Sequence, residues 1–283
     1  MNRRTVARTA TIKGLGLFTG AQSEAVIGPA SAGEGITFIH KNTRIPAKIT
    51  NRSSSPIAAF KNLPARHTCL ATNNAKAITT EHLLAALAGL GITDAIISLG
   101  DQGEVPIDDG SALCFVHEIM NAGTTELEGV INPIVPTETI SVSQGGASII
   151  IEPAQTITYT YNYEPDSNSP LRRQAATWEG SPDDFMTKVA PARTFSFKHE
   201  AEQMQSLGLF AAFTPKDLLV LDEDGIPINN EFRFDNEPAR HKLLDLVGDL
   251  ALAGAPLIGK VTAMKSGHAL NHELARKLAA LSS

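Results

Sequence analysis

Apolar and polar residues alternate from Thr5 to about Lys48, interrupted by glycine-rich turns such as Gly14-Leu-Gly-Leu-Phe-Thr-Gly20. A period of two with such turns predicts short antiparallel strands. The pattern changes at Thr79, where Thr-Thr-Glu-His-Leu-Leu-Ala-Ala-Leu-Ala-Gly combines capping hydroxyls and helix formers with glycine stops at Gly89 and Gly91; a short buried helix is expected. Thr93 to Leu99 reads as a strand. Val105-Pro-Ile-Asp-Asp-Gly-Ser111 has the composition of a tight turn, and an apolar helix is expected from about Ala112 to Met120.

Both periodicities break between residues 124 and 135, at Gly123-Thr-Thr-Glu and Asn132-Pro-Ile-Val-Pro, which marks a domain boundary. Beyond it Ile140 to Val142, Ser148 to Glu152 and Thr156 to Tyr163 alternate as strands, and Phe232 to Ala253 and Leu270 to Leu281 carry helical periodicity. Each half mixes strands and helices without sustained βαβ alternation, so the expected fold class is α+β and not a doubly wound sheet. Two domains follow, 1–128 and 129–283.

The helix Asn236-Glu-Pro-Ala-Arg-His-Lys-Leu-Leu-Asp-Leu-Val-Gly-Asp249 has clear ends, with Asn236 at the N-cap, Pro238 in the first turn and Gly254 as a stop. His241, Asp245 and Asp249 are spaced i, i+4, i+8 and share one side, while Leu243, Leu244, Val247 and Leu250 supply apolar faces. Imidazole and carboxylate one turn apart can ligate a divalent cation such as zinc. The same spacing also makes an ordinary helical ion pair. Taken singly, Glu81 is a first-turn acid, His82 a hydrogen-bonded polar group, His268 a turn residue after a glycine and Thr194 part of a strand edge.

Composition narrows the classes. The 283 residues are 42% hydrophobic and 19% charged, an ordinary globular balance with no apolar run of about 18 residues for a membrane span. The start, Met-Asn-Arg-Arg-Thr-Val, has no apolar core or cleavage site of a secretory signal, and a cytoplasmic protein is expected. A formal charge of −6 argues against nucleic acid. Cys69 and Cys114 sit among apolar neighbours and read as reduced core residues.

In combination the motifs say more. Thr-Glu81-His82-Leu, Ile-Asp-Asp109-Gly-Ser, Ala-Arg-Thr194-Phe, Arg-His241-Lys-Leu-Leu-Asp245-Leu-Val-Gly-Asp249 and Lys-Ser-Gly-His268-Ala-Leu-Asn occur in the order characteristic of the UDP-3-O-acyl-N-acetylglucosamine deacetylase family of lipid A biosynthesis. The chain resembles that family over nearly its full length.

The resemblance implies two similar layered domains, each a sheet plus helices, packed with helices between them and with the active site at their interface. It implies Zn²⁺ on His82, His241 and Asp245, Glu81 as general base, Thr194 and protonated His268 at the carbonyl oxygen, and Asp249 orienting His268. Lys242 matches the family's substrate-phosphate contact, and an apolar unit near 195–221, with Phe195 in it, its acyl passage. Tyr163 is a candidate to stack on uracil. The implied partner is the UDP-linked acylated glucosamine, with no nucleic acid, no transmembrane segment, peripheral contact with the inner membrane face at most, and a monomeric chain. Phe18 stands where the family usually has a histidine, and Gly208-Leu-Phe-Ala-Ala-Phe-Thr-Pro215 lacks its paired glycines. These departures leave two alternatives, a related zinc deacetylase for another acetylated sugar and a catalytically silent lipid- or nucleotide-binding homologue.

Overall fold

The structure, a computed structural model, describes residues 1–61 and 66–281; the last two residues of the expected second domain lie outside the described residues. In chain order the first half contains β1 (Asn2–Val6), β2 (Ala10–Leu15), β3 (Gln22–Gly28), β4 (Ile36–His40), β5 (Thr43–Pro46), β6 (Cys69–Thr72), β7 (Ala75–Ile78), α1 (Glu81–Gly89), β8 (Ala95–Leu99) and α2 (Leu113–Ala122). After β9 (Thr124–Val130) come β10 (Ile140–Gln144), β11 (Ala147–Glu152), β12 (Thr158–Tyr163), β13 (Gln174–Trp178), α3 (Pro182–Asp184), β14 (Phe195–Phe197), α4 (Lys198–Ser206), β15 (Leu219–Leu221), α5 (Glu237–Leu250), β16 (Lys260–Met264) and α6 (His268–Ala279).

Two five-stranded sheets carry the fold, with orders β2-β3-β8-β4-β5 and β10-β11-β16-β12-β13. Counted within each sheet, the order is the same: first, second, fifth, third, fourth. All neighbours are antiparallel except β4 with β8 and β12 with β16. Parallel neighbours cannot be joined by a hairpin and need a crossover connection. In the first half that connection carries α1, in the second α5, so these helices are topological equivalents. Inward positions such as Ala25, Ile27, Ala95 and Ile97 in one sheet and Ile149, Ile151, Val261 and Ala263 in the other are buried in one continuous core with α1 and α5.

Between the sheets neither helix has a wet face. Glu81 to Leu87 are all buried, and in α5 only Arg240 and Lys242 are not. The helices meet at Gly248, where a Cβ would fall 2.1 Å from the Glu81 carbonyl oxygen and 3.2 Å from the Ala85 nitrogen. Only glycine lets the two backbones approach this closely.

Several expectations shift. The α5 helix begins at Glu237 and not Phe232, because Pro238 in the first turn disfavours helical extension upstream. Asn236 occupies the N-cap position without capping; its amide donates to the Ala175 carbonyl at 2.7 Å and its oxygen accepts from Arg240 Nε at 2.6 Å. Thr80 likewise makes no cap, since its backbone is already helical and its hydroxyl donates to the Thr68 carbonyl. Residues 124–130 do not form a linker. They are β9, antiparallel to β1, and the expected division at 128/129 falls inside that strand.

The segment 195–221 forms β14, α4 and β15, with β14 and β15 parallel. It adds a second apolar cluster in which Met204, Leu209 and Leu218 pack against Leu17, Phe18, Phe60 and Ile107 of the first half. A cavity of about 260 Å³ runs beside it, lined by Leu17, Phe18, Phe195, Met204, Phe210 and Phe213 among others.

Gly248→Ala is expected to cost more than the about 1–3 kcal/mol of ordinary overpacking, because the obstructing atom is backbone. Urea denaturation checks this; an unchanged midpoint would show that the helices do not depend on that approach.

Candidate active site

The first turn of α1 brings Glu81 and His82 to the flank of α5, whose second, third and fourth turns carry His241, Asp245 and Asp249. His82, His241 and Asp245 offer ligand atoms within 4.8 Å of one another, and all three are buried. Asp245 Oδ1 lies 3.4 Å from His241 Nε2 and 3.6 Å from His82 Nε2, and the two rings stand edge to face with centroids 5.0 Å apart. These are not hydrogen bonds: Oδ1 has no donor.

The orientation of His241 is set by the Ala192 carbonyl, 3.2 Å from Nδ1. A carbonyl only accepts, so Nδ1 carries the proton and the Nε2 lone pair faces Asp245 Oδ1. A buried carboxylate oxygen and an imidazole lone pair aimed at each other repel unless they share a cation. Ligand atoms about 2.0–2.2 Å from one tetrahedral ion lie roughly 3.4 Å apart, which matches the observed spacing. The donor set of two imidazoles and a carboxylate fits a borderline divalent metal.

Electrostatics favour the ligating forms. Burial pushes the His241 imidazole down to about 3, so it stays neutral. Burial works against ionising Asp245, but the Lys242 ammonium beside it holds its carboxyl well below the usual carboxylate range. Lys242 Nζ donates to Asp245 Oδ2 at 2.8 Å, leaving Oδ1 for the metal position.

One helical turn further, Asp249 is fully buried and saturated with donors. Its Oδ2 accepts from His268 Nδ1 at 2.8 Å and Asn271 Nδ2 at 2.9 Å, and its Oδ1 from the Thr68 hydroxyl at 2.5 Å, with His272 Nε2 at 3.2 Å. Burial would lower the His268 pKa, but the charge of Asp249 and the hydrogen bond to it outweigh burial and raise it to about 9. His268 is therefore an imidazolium at neutral pH. Glu81 moves the other way from most acids: burial raises its pKa, partly offset by His268 and His82. Its Oε2 accepts the Thr68 backbone N–H at 3.0 Å, leaving Oε1 for other work.

A cavity of about 510 Å³ opens over this centre. Glu81, His82, Tyr163, Thr194, Phe195, His241, Lys242, Asp245 and His268 all line it, and Asp249 lies behind His268. Tyr163 stands edge-on to Phe195, centroids 6.1 Å apart. The Thr194 backbone N–H is committed to the Gly110 carbonyl at 2.7 Å. A second cavity of about 510 Å³, between the sheets near Leu87, Trp178 and Leu250, contains none of these residues.

Several contacts of the site are not legible in the sequence. Thr68 and His272 meet Asp249 only in the fold, as does Asn271, which closes the Lys265–Asn271 motif. Arg193 and Glu237 form a buried ion pair at 2.8 Å, and Glu237 Oε1 also accepts the Arg193 backbone N–H at 3.0 Å, which fixes the irregular segment before β14 that presents the Ala192 carbonyl to His241. His67, also buried, has no hydrogen-bond partner on either ring nitrogen among the described residues, and its ring centroid lies 4.4 Å from that of Phe18.

Comparison with known proteins extends the picture. The family model described as UDP-3-O-acyl N-acetylglycosamine deacetylase matches residues 3–280. Three relatives bear the name UDP-3-O-acyl-N-acetylglucosamine deacetylase. That of Myxococcus xanthus (strain DK1622) is 35% identical over 279 residues, 98% of this chain and 86% of the relative. That of Anaeromyxobacter sp. (strain Fw109-5) is 36% identical over 280 residues, covering 99% and 89%. That of Leptospira biflexa serovar Patoc is 37% identical over 282 residues, covering 98% and 89%.

The His268–Asp249 pair makes a pH prediction. Because the folded pKa of His268 is raised from 6.5 to about 9, its stabilisation is fully present below about pH 6.5 and is lost as pH rises through about 9. Denaturation midpoints should fall across that window in the parent protein and fall less in His268→Gln. Parallel curves would refute the pair.

Proposed function

The chain belongs to the UDP-3-O-acyl N-acetylglycosamine deacetylase family, and from that premise we propose that it is a zinc-dependent hydrolase that removes the N-acetyl group of UDP-3-O-acyl-N-acetylglucosamine, releasing acetate, in lipid A biosynthesis. The observation that carries the reading is the convergence of His82 Nε2 and His241 Nε2 on the donorless Asp245 Oδ1. Those three residues hold the zinc. When bound, zinc polarises the amide carbonyl and makes water a better nucleophile near neutral pH.

The residues around it divide the proton work. Glu81, held through Oε2 by the Thr68 N–H, takes the proton of the attacking water on Oε1, and burial, which raises its pKa, makes its carboxylate a stronger base. His268, tied through Nδ1 to Asp249, presents Nε2–H to the cavity, where it and the Thr194 hydroxyl stabilise the charge growing on the carbonyl oxygen. The same Nε2–H then protonates the departing amine. Asp249 keeps the ring oriented throughout and charged until that transfer.

Substrate contacts follow from the cavity walls. Lys242 meets a phosphate, Tyr163 stacks on uracil, and the acyl chain passes Phe195 into the cavity beside Met204 and Phe210. Phe18, buried in the same wall, supplies apolar surface there, which favours a second reading: the same hydrolysis on an acetylated sugar whose acyl or nucleotide part differs. A panel of acetylated sugar nucleotides separates the two. No helix among the described residues is long and apolar enough to cross a membrane; we place the activity in the cytoplasm, on a monomer.

Purified protein should release acetate in a zinc-dependent way, lost on chelation and restored by the metal. His241→Ala should lose zinc, whereas Glu81→Ala should keep it and lose about 10²–10⁴-fold in rate. Metal analysis beside the acetate assay checks both. Folded, zinc-loaded protein that releases no acetate from substrates of any acyl length would overturn the proposal.

A further inference from the structure

Thr68, just before β6, touches both ends of the proton chemistry. Its backbone N–H donates to Glu81 Oε2 at 3.0 Å. Its hydroxyl lies 2.5 Å from Asp249 Oδ1 and 2.9 Å from His272 Nε2, with His268 Nδ1 at 3.5 Å. Thr68 and Asp249 are completely buried, Glu81 and His272 nearly so, and His268 is partly exposed.

The hydroxyl has one proton to give. Ionised Asp249 can only accept, so the proton goes to Oδ1, and His272 Nε2 must be an N–H donating to the Thr68 oxygen. His272 Nδ1 has no partner; a proton there would be buried and unsatisfied. The arrangement therefore selects the neutral Nε2–H form of His272 and leaves the imidazolium to His268. Two histidines one turn apart on α6 share one carboxylate, and the His272 Nδ1, unpartnered among the described residues, leaves the second proton to His268.

We propose that Thr68, supported by His272, is a positioning residue that locks the base Glu81 and the acid pair Asp249–His268 into one geometry. The inference rests on the reading of Glu81 and His268 given above. Thr68→Val keeps the backbone N–H to Glu81 and removes only the hydroxyl. Asp249 then loses a donor and binds the His268 proton more tightly, so His268 titrates at higher pH. Other groups facing His268 are Asp245 on α5, Glu81 on α1 and His67 beside Thr68, with His272 on its own helix; the valine leaves all of them in place.

The experiment uses the zinc-loaded full chain. Nitrogen-15 NMR of the histidine rings reads the His272 tautomer and the His268 titration, alongside kcat, KM, zinc content and the pH profile of acetate release. In Thr68→Val, kcat should fall about 10–100-fold, KM should stay within roughly twofold and zinc content should not change. The His268 titration should move up, and Thr68→Ser should restore most of the rate and the original titration. Thr68→Ala gives the same reading should the valine not fold. An unshifted His268, a His272 protonated on Nδ1 in the parent, or a serine as slow as the valine would overturn the inference. If the parent protein releases no acetate, the functional reading fails, and the NMR titration alone still decides: a shift supports the Thr68 assignment and no shift refutes it.

Discussion

The contact between α1 and α5 at Gly248 is the constraint on which the rest depends. A helix has a backbone cylinder of about 2.3 Å radius, and side chains normally hold two helix axes about 8–10 Å apart. Here the Glu81 carbonyl occupies the space where a side chain would project from residue 248. Residues of the first turn of α1 therefore reach the flank of α5 at the height of His241, Asp245 and Asp249. His82 joins the ligands and Glu81 faces His268 because one position on α5 has no Cβ. The two sheets enforce the contact from outside, since each buries its inner face against the pair.

Within that contact two aspartates one turn apart do opposite jobs, and their hydrogen bonds decide which. Asp245 keeps Oδ1 free of donors, with Lys242 engaged on the other oxygen; an oxygen so prepared offers its lone pairs to a cation. Asp249 has donors on both oxygens and none of its surface exposed. A carboxylate so enclosed stays ionised and imposes a proton on its neighbour. The low dielectric of a buried site strengthens both effects.

The sequence revealed the parts of this site that lie within one helix. The i, i+4, i+8 spacing of His241, Asp245 and Asp249 is local geometry and survives in the fold, as do the stop at Gly254 and the turn before α6. Joining them to Glu81, His82 and His268 required the resemblance, because nothing in spacing relates residues some 160 apart. Thr68 and Glu237 stayed invisible for the same reason: a threonine at the entry to a short strand and an acid in a first turn have satisfactory local explanations. The pairing of β1 with β9 was hidden too, since Thr124–Val130 is mostly exposed and shows no inward face to betray a strand.

The common strand order of the two halves explains where the chemistry sits. Equivalent crossover connections pack α1 against α5, with the first turn of α1 on the last turn of α5 at Gly248, and equivalent final helices, α2 and α6, follow the last strands. Identical scaffolds alone would make a symmetric and inert interface. The asymmetry comes from what occupies matching positions. Ahead of α2, Asp109 is consumed by Ser111 and by an ion pair with Arg233 at 2.6 Å, whereas at the start of α6 His268 faces the cavity with one nitrogen uncommitted. The inserted strands differ as well: the chain entering β6 brings Thr68 to Asp249, and the chain entering β14 brings the Ala192 carbonyl and Thr194 to the ligands. The scaffold thus supplies proximity, and the differences between its halves supply a metal-binding side and a proton-donating side on the same helix.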